Sequence, residues 1–311
     1  MHPRQAWDAS CIEGGPRMNS RRPIAIAVTA AMLLGGVVAC SPLATLNALS
    51  PQGDLVRTEG IAYGDNPRQR LDIYVPGAAS GTPRAVVVFF YGGSWNDGSR
   101  ADYRFVGAAL AARGYIAVLP DYRVYPEVRY PGFVEDSARA VAWTLQHIAG
   151  YGGDLRRVFV MGHSAGAYNA AMVALDGRWL QAFGASPAQL RGFIGLAGPY
   201  DFLPIENPDV KPVFWFPDSP PDSQPIRHVT AAAPPSLLIA SHRDKLVEAE
   251  RNTGGLARLL RQQQVPVQER YYDNTSHAVL VATLAYPLRW LAPTLDTVDA
   301  FIAAPPARSA P

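Results

Sequence analysis

The chain has 311 residues with a formal net charge of +2, and 48% of its residues are hydrophobic against 17% charged. That composition is typical of a globular protein with a sizeable core. No Lys/Arg run interleaved with aromatic residues occurs in the body of the chain, so the sequence argues against a nucleic-acid surface and favours small, weakly charged partners.

The N-terminal segment has the pattern of an export signal. Arg21-Arg22 precedes an apolar stretch at residues 23–39, which ends in small residues and is too short and wrongly flanked for a stable membrane span. Residues 1–17 resemble no targeting element, which favours Met18 as the start of translation. We therefore assign residues 1–40 to an upstream extension followed by a signal peptide, outside the fold.

The end of this signal resembles a bacterial lipobox. In Val37-Val38-Ala39-Cys40 the cysteine stands where a lipobox thiol takes a diacylglyceryl group and becomes the first residue of the mature chain. The resemblance implies a lipid anchor at Cys40 and a domain held at a membrane of the cell envelope, facing the periplasm. Ser41 is not the acidic residue that marks inner-membrane retention, which favours the outer membrane. The alternative is an ordinary signal peptide followed by an unmodified cysteine.

Lipidation at Cys40 is tested by metabolic labelling with a fatty-acid analogue. We expect the full chain to take up the label and Cys40→Ser to lose it, because a serine hydroxyl cannot replace the thiol in the lipid transfer. Equal labelling of the two chains would refute the prediction.

Strands and helices alternate after a predicted polar tether at residues 41–52. Residues 55–63 and 69–75 predict an antiparallel hairpin, and the wholly apolar run 85–91 predicts a strand inside a parallel sheet. Further strands are predicted at residues 116–120, 158–161, 193–196, 236–240 and 267–272, and helices at 103–113, 131–149, from 165, and at 247–264. Together they predict one α/β domain over residues 53–304, with eight mostly parallel strands, helices on both faces of the sheet and a disordered tail at 305–311.

One long segment, residues 200–235, has neither helical nor strand periodicity and is rich in proline and aromatic residues. A connection of this length between two strands is usually functional. We predict a lid-like insertion that arches over the carboxyl edge of the sheet and offers Phe214, Trp215 and Phe216 to an apolar substrate. The alternative is a proline-pinned surface loop whose aromatic side chains pack on the sheet.

The run Gly162-His163-Ser164-Ala165-Gly166 stands between a predicted strand and a predicted helix. A Gly-x-Ser-x-Gly run in that context predicts a sharp turn, in which only small residues fit two places either side of the serine. Such a turn presents Ser164 as a nucleophile. A hydroxyl then needs a base within hydrogen-bond reach, a third group that orients the base, and donors for the developing oxyanion. No cysteine follows Cys40, which excludes a thiol nucleophile or a cysteine metal site in the mature chain.

The run Tyr91-Gly92-Gly93-Ser94-Trp95 directly follows a predicted strand. Its glycines let the backbone bend toward a substrate. We predict an oxyanion hole in the loop Gly92 to Ser94, where the N–H groups of Gly93 and Ser94 act together with that of Ala165 at the positive end of a helix. The alternative is a plain glycine turn at the end of a strand.

His277 is the predicted base, because it follows the last strand in a loop that reaches the carboxyl edge of the sheet. His163 adjoins the serine, and we expect the turn to direct its ring away. Asp244 follows the strand at 236–240 and is the predicted acid, while Asp201, after the preceding strand, is its rival. The remaining histidines of the mature chain are less well placed: His147, His228 and His242. The order Ser, Asp, His is that of α/β-hydrolases and differs from the orders in chymotrypsin and subtilisin.

These motifs together make the chain resemble a carboxylesterase of the α/β-hydrolase superfamily, near the hormone-sensitive-lipase-like, arylformamidase and isoprenylcysteine methylesterase branches. Asp121-Tyr122-Arg123 and Tyr151-Gly152-Gly153-Asp154 add to the resemblance, because relatives carry similar runs after one strand and before the nucleophile strand. Asp121 and Arg123 are expected to form a buried supporting pair. The resemblance implies no metal or organic cofactor and a catalytic triad of Ser164, Asp244 and His277. Relatives generally have histidine where Tyr91 stands, a change that bears on substrate preference more than on catalysis.

The sequence therefore predicts acyl transfer on a small-molecule carboxylic ester through an acyl-enzyme on Ser164. The substrate pocket is expected to include Trp95, Tyr200, Phe214 and Trp215. An arylformamidase, a thioesterase or a peptidase would use the same triad, and residue spacing does not separate them. The alternative from another class is an inactive hydrolase-fold protein of the envelope that binds a partner. That alternative predicts a missing triad member, and none is missing from the sequence.

Overall fold

The computed structural model of the chain describes residues 42–77 and 81–307. The predicted signal peptide and the predicted lipid attachment at Cys40 lie outside the described residues, and so do positions 308–311 of the predicted tail. Among the residues described, no helix is both long and apolar enough to cross a membrane.

The chain divides into two units, Met1–Thr45 and Leu46–Pro311. Helix α1 (Pro42–Leu49) occupies part of the predicted tether and has no buried side chain. Within the second unit, Asn47 Oδ1 accepts the backbone N–H of Phe105 at 2.9 Å. Because Phe105 lies in the first turn of the next helix, this side chain fixes the end of the predicted tether to the domain.

Eight strands in the described part of the chain form one sheet. In chain order they are β1 (Leu55–Ala62), β2 (Arg70–Pro76), β3 (Arg84–Phe90), β4 (Ile116–Pro120), β5 (Gly153–His163), β6 (Leu190–Leu196), β7 (Ser236–Ser241) and β8 (Val267–Tyr272). Their order across the sheet is β1-β2-β4-β3-β5-β6-β7-β8. β2 pairs antiparallel with both β1 and β4, and every other pair is parallel. The predicted sheet is confirmed.

The central strands are apolar because both of their faces are covered. From Val86 to Phe90 each side chain of β3 is fully buried, and the side chains of β4 from Ile116 to Leu119 are 1% exposed or less. A parallel strand covered on both faces has no solvent-facing positions, so its sequence shows no polar alternation. This is why the two runs read as buried strands in the sequence.

Seven more helices connect or follow the strands: α2 (Arg104–Ala112), α3 (Gly132–His147), α4 (Ala165–Leu175), α5 (Gly177–Gln181), α6 (Gly255–Gln262), α7 (His277–Ala282) and α8 (Thr294–Ala303), all within the described residues. The crossover from β3 to β4 runs in the opposite direction along the sheet from those leading to β5 and β6. Since such crossovers are right-handed, α2 lies on the opposite face from α3 and α4. Arg113, after α2, bonds Asp299 of α8 at 2.9 Å, so α8 shares the face of α2.

Three features of the helices and strands differ from the prediction. The helix expected at 247–264 begins with a wide turn at Glu250–Gly254 and continues as α6. β5 begins five residues earlier than expected, at Gly153, because its polar first half extends beyond the buried core of the sheet. The short helices α5 and α7, and helix α8, were not predicted. None of these differences moves the ends of the strands that carry the candidate site.

Candidate active site

Ser164 lies in a sharp turn between β5 and α4. Its φ and ψ angles of 54° and −124° are outside the regions that non-glycine residues favour. The turn is held by a hydrogen bond from the N–H of Ser164 to the carbonyl oxygen of Leu196 at 2.9 Å. A Cβ on Gly162 would stand 2.2 Å from the carbonyl oxygen of Gly166, and one on Gly166 would stand 2.1 Å from that of Phe90. Only glycine fits these two positions.

Ser164, His277 and Asp244 form one chain of hydrogen bonds. With the imidazole proton on Nδ1, this atom donates to Asp244 Oδ2 at 2.6 Å, and Ser164 Oγ donates to His277 Nε2 at 2.7 Å. The three residues follow β5, β7 and β8, parallel strands that end at the same edge of the sheet. The carboxylate is 1% exposed and the imidazole 11%, so these bonds are largely shielded from water.

The carboxylate of Asp244 is fixed on both oxygens. Its Oδ1 accepts the N–H groups of Leu246 and Val247 at 2.8 and 2.9 Å, while Oδ2 faces His277. Burial acts to raise the pKa of Asp244, but the hydrogen bond from His277 and the electrostatic interaction with its imidazole, together with the two N–H groups, outweigh burial and lower the pKa. Asp244 is therefore ionised and oriented before any substrate arrives.

Two further side chains hold the loop of His277. The ring of His163 is buried 4.9 Å from that of His277, centroid to centroid, and its Nε2–H donates to the carbonyl oxygen of His277 at 2.9 Å. The prediction that the turn directs this ring away is wrong. β5 continues through His163, so its side chain projects from the strand toward the loop of His277. Burial, and then the neighbouring His277, lower the pKa of His163 to about 3, so the ring is neutral. The hydroxyl of Ser241 donates to the carbonyl oxygen of Thr275 at 2.5 Å and joins the two loops.

The rival acid and the remaining histidines do not contact the serine. Asp201 Oδ2 lies 3.2 Å from Nε of Arg251. His242 is exposed and bonds a different carboxylate at 2.8 Å. His147 and His228 bond backbone carbonyl oxygens. Within the described residues, no group of three or more His, Cys, Asp or Glu side chains is arranged to hold a metal ion.

The loop after β3 lies against Ser164. Its predicted oxyanion-hole residues line the same cavity as Ser164: Gly92, Gly93, Ser94 and Ala165. A Cβ on Gly92 would stand 3.0 Å from the Cβ of Ser164. Gly93 has a φ of 137°, and a Cβ there would stand 2.2 Å from the carbonyl oxygen of Asp97. In the described part of the chain, no acceptor takes the N–H of Gly93, Ser94 or Ala165.

Tyr91 supports the strand end that leads into this loop. Its ring stacks between those of Tyr103 and Tyr122, with centroid distances of 5.7 and 4.7 Å. Its hydroxyl accepts a hydrogen bond from Arg68 at 3.0 Å, and its carbonyl oxygen accepts one from the Tyr122 hydroxyl at 2.8 Å. Burial raises the pKa of Tyr91, so the phenol is neutral. A stacked and hydrogen-bonded tyrosine thus occupies the position where relatives were expected to have histidine.

Asp121 and Arg123, predicted to pair with each other, bind different partners. Asp121 accepts hydrogen bonds from the backbone and the guanidinium of Arg100. Arg123 donates two hydrogen bonds to Asp136, at 2.8 and 2.7 Å. Arg100 lies just before α2 and Asp136 lies in α3, on opposite faces of the sheet. The side chains of Asp121 and Arg123, which both follow β4, therefore point to opposite faces of the sheet.

A cavity of about 380 Å³ opens at Ser164. Trp95 forms one wall, where its indole is fixed by a hydrogen bond from Nε1–H to Asn169 Oδ1 at 2.9 Å. The apolar part of the lining includes Phe202, Ile205, Val210, Leu246 and Val247. The cavity therefore has room and apolar surface for a small ester beside Ser164.

The other three predicted pocket residues, Tyr200, Phe214 and Trp215, do not line this cavity. Tyr200 lies against the backbone of β6, where a Cβ on Gly195 would stand 1.9 Å from its hydroxyl. Phe214 is buried behind Trp95, with ring centroids 4.8 Å apart. Trp215 donates from Nε1–H to a backbone carbonyl oxygen just before α3 at 2.7 Å. Residues 201, 202, 204–207 and 210 of the insertion line the cavity, whereas its aromatic run, which ends in Phe216, does not.

Buried amides fix the first residues of the insertion. Asn252 Oδ1 accepts the N–H groups of Tyr200 and Asp201 at 2.7 and 2.9 Å, and Gln224 Oε1 accepts that of Phe202 at 2.7 Å. Asn252 is 4% exposed and Gln224 1%. This wall of the cavity is therefore held by the protein itself. Neither amide lies in a motif, so sequence reasoning had no signal for them.

Comparison with known proteins assigns this arrangement to a family. The family model described as BD-FAE matches residues 71–256, more than half of the chain. The chain belongs to the BD-FAE family. The matched range includes Ser164 and Asp244 and ends before His277.

Curated relatives of this BD-FAE protein are named as esterases. The probable isoprenylcysteine alpha-carbonyl methylesterase ICMEL1 of Arabidopsis thaliana is 37% identical over 149 residues, which are 46% of this chain and 31% of the relative. Esterase LipC of Mycobacterium tuberculosis is 30% identical over 66% of this chain and 55% of its own length. The probable carboxylic ester hydrolase LipM of the same organism is 30% identical over 78% and 61%. The chain thus spans less than two thirds of each of these relatives.

Solved structures share the fold. Esterase B from Lactobacillus rhamnosis, in an inhibited form, matches with a TM-score of 0.70 and 19% identity, covering 89% of this chain and 96% of that one. The Pyrobaculum calidifontis esterase matches with a TM-score of 0.65 and 23% identity, covering 84% and 88%. The predicted α/β-hydrolase fold is confirmed.

Proposed function

We propose that this protein is a serine hydrolase that cleaves a small carboxylic ester through an acyl-enzyme on Ser164. The observation that carries the proposal is the unbroken chain of hydrogen bonds from Ser164 through His277 to Asp244, at 2.7 and 2.6 Å. Membership of the BD-FAE family and the esterase names of the relatives support it.

The proposed reaction has two halves that use the same three side chains. His277 Nε2 takes the proton of Ser164 Oγ as this oxygen attacks the ester carbonyl carbon. The carbon–oxygen bond to the alcohol then breaks, and His277 gives the proton to the leaving alcohol. In the second half, His277 takes a proton from the water that attacks the acyl carbon, and it gives this proton to Ser164 Oγ as the bond between that oxygen and the acyl carbon breaks and the acid leaves. Asp244 holds the Nδ1–H tautomer and stabilises the imidazolium in both halves.

The backbone around Ser164 supplies the donors that the tetrahedral intermediate needs. The N–H groups of Gly93, Ser94 and Ala165 are proposed to bind the oxyanion, and one such donor typically lowers the barrier by ~3 kcal/mol. Ala165 is the first residue of α4, so the positive end of the helix favours the same negative charge.

A fluorophosphonate probe tests this proposal, because it reacts with an activated serine hydroxyl in the way an ester does. We expect the purified full chain to bind one probe molecule on the peptide that contains Ser164, with parallel loss of its hydrolysis of a 4-nitrophenyl ester. Ser164→Ala should not label. Ser186→Ala, which removes a serine that caps a short helical turn outside the cavity, should label like the parent. Hydrolysis that survived complete labelling of Ser164 would contradict the proposal.

A further inference from the structure

We propose that the cavity at Ser164 selects neutral or positively charged esters and rejects esters that carry a negative charge. This inference rests on the proposed function and concerns the choice of substrate, not the bond that is broken. The observations behind it are the charged side chains that line the cavity and the contacts of the one arginine among them.

Two walls of the cavity bring charge to its lining. Asp201 and Glu206 belong to the insertion after β6, and Glu248 and Arg251 belong to the segment between β7 and α6. Among the lining residues of the described chain, three carboxylates and one guanidinium leave a formal net charge of −2. The lining is therefore acidic although the whole chain carries a formal net charge of +2.

The guanidinium of Arg251 is bound to the opposite wall. Its Nε lies 3.2 Å from Asp201 Oδ2, and its Nη2 lies 3.4 Å from Asp201 Oδ1 and donates to the carbonyl oxygen of Leu203 at 2.6 Å. Arginine binds a carboxylate through such a pair of parallel N–H groups. Because Asp201 occupies the Nε and Nη2 positions, the cation joins two walls and its charge is neutralised there.

The other two carboxylates are held differently. Glu248 accepts the N–H groups of Glu250 and Arg251 at 2.9 and 2.5 Å, so the positive end of the following helical segment offsets part of its charge. Glu206 is exposed at the cavity, and its carboxylate has no hydrogen bond or ion pair with any part of the chain that the structure describes. Of the three carboxylates, Glu206 is therefore the one whose negative charge is least offset by other groups of the protein.

This arrangement affects binding more than chemistry. A charge placed several bonds from the ester carbonyl leaves the reactivity of that carbonyl nearly unchanged. Near an acidic wall, however, an anion is repelled and a cation is attracted, most strongly when little salt is present. The difference must therefore appear in kcat/KM, and it must shrink as salt is added.

Three 4-nitrophenyl esters with six-carbon acyl chains test the inference on the purified full chain. The chains end in a methyl group, a carboxylate or a trimethylammonium group, and each rate is corrected for hydrolysis without protein. At low salt we expect kcat/KM for the anionic ester to be about tenfold below that of the neutral ester, with the cationic ester at least equal to the neutral one. The gap should close toward unity at 1 M salt, where the Debye length is about 3 Å.

Glu206 supplies the decisive variants. Glu206→Gln should narrow the ratio of neutral to anionic kcat/KM, and Glu206→Lys should abolish or invert it. Because each ratio is taken within one variant, a general change in activity cancels. Asp54→Asn is the matched control: Asp54 is exposed before β1, at the edge of the sheet opposite Ser164, and its loss should leave the ratio unchanged.

The outcomes separate this inference from the proposed function. Equal kcat/KM for the anionic and neutral esters at low salt would overturn the inference, as would an unchanged ratio in Glu206→Lys, while leaving the esterase proposal intact. Failure to hydrolyse any of the three esters, with no fluorophosphonate labelling of Ser164, would overturn the proposed function and this inference with it.

Discussion

His277→Ala is expected to lower kcat for a short-chain 4-nitrophenyl ester by about 10⁵- to 10⁶-fold, as loss of the base does in serine hydrolases. Without the imidazole, Ser164 Oγ has no acceptor for its proton and the leaving alcohol has no donor. KM should change much less, because His277 contributes only part of the cavity lining. Steady-state kinetics on the purified full chain measure both quantities.

His242→Ala is the matched control for this variant. His242 is exposed and bonds Asp273 at 2.8 Å, and it lies two residues before Asp244 on the same loop. Because His242 neither lines the cavity nor bonds Ser164, His277 or Asp244, kcat should stay close to that of the parent. Surface substitutions of this kind usually change stability by less than about 0.5 kcal/mol, so the variant should also fold. Comparable losses in His242→Ala and His277→Ala, with both proteins folded by circular dichroism, would contradict the assignment of the base.

Asp244→Asn is expected to lower kcat by about 10⁴-fold while leaving the fold intact. The amide oxygen can still accept the N–H groups of Leu246 and Val247, which fix this side chain now. The amide nitrogen then faces His277 Nδ1 and donates to it, which holds the imidazole in the tautomer with its proton on Nε2. In that tautomer the ring cannot accept the proton of Ser164.

Two other aspartates calibrate this result. Asp273→Asn removes an exposed carboxylate near His277 that pairs with His242, and its kcat should remain near the parental value. Asp201→Asn removes the rival acid, whose partner is Arg251, and should alter KM and charge preference more than kcat. A larger loss of kcat in Asp201→Asn than in Asp244→Asn would show that the acid has been misassigned.

The turn that carries Ser164 could be predicted from the sequence because it depends on contacts between residues close to it in the fold. A Cβ on Gly162 or Gly166 would stand only 2.2 or 2.1 Å from a backbone oxygen, so both positions require glycine. This requirement appears in the sequence as a recognisable pattern. Apolar runs mark the buried central strands in the same direct way, as the fully buried residues of β3 and β4 show. Because parallel strands end at the same edge of a sheet, residues just after them were expected to lie close together. This expectation selected Ser164, Asp244 and His277.

The pocket was less predictable because its lining depends on which side chains the insertion buries. Phe214 and Trp215 have the composition of a binding surface, yet Phe214 packs behind Trp95 and Trp215 turns to the segment before α3. His163 was expected to turn away and instead bonds the loop of His277. Each of these outcomes is set by packing between segments far apart in the chain, which no local pattern reports.

The sequence by itself predicted the sharp turn at Ser164, the eight strands and the candidates for base and acid, since each prediction rests on residue patterns that can be read along the chain. Tertiary structure alone decided which of those candidates touch, how Arg251 is neutralised by Asp201 and which wall carries the uncompensated charge of Glu206. Those are contacts between the insertion after β6 and the segment after β7, brought together by the sheet. Local geometry leaves a signature in the sequence, whereas complementarity between distant surfaces exists only in the folded chain.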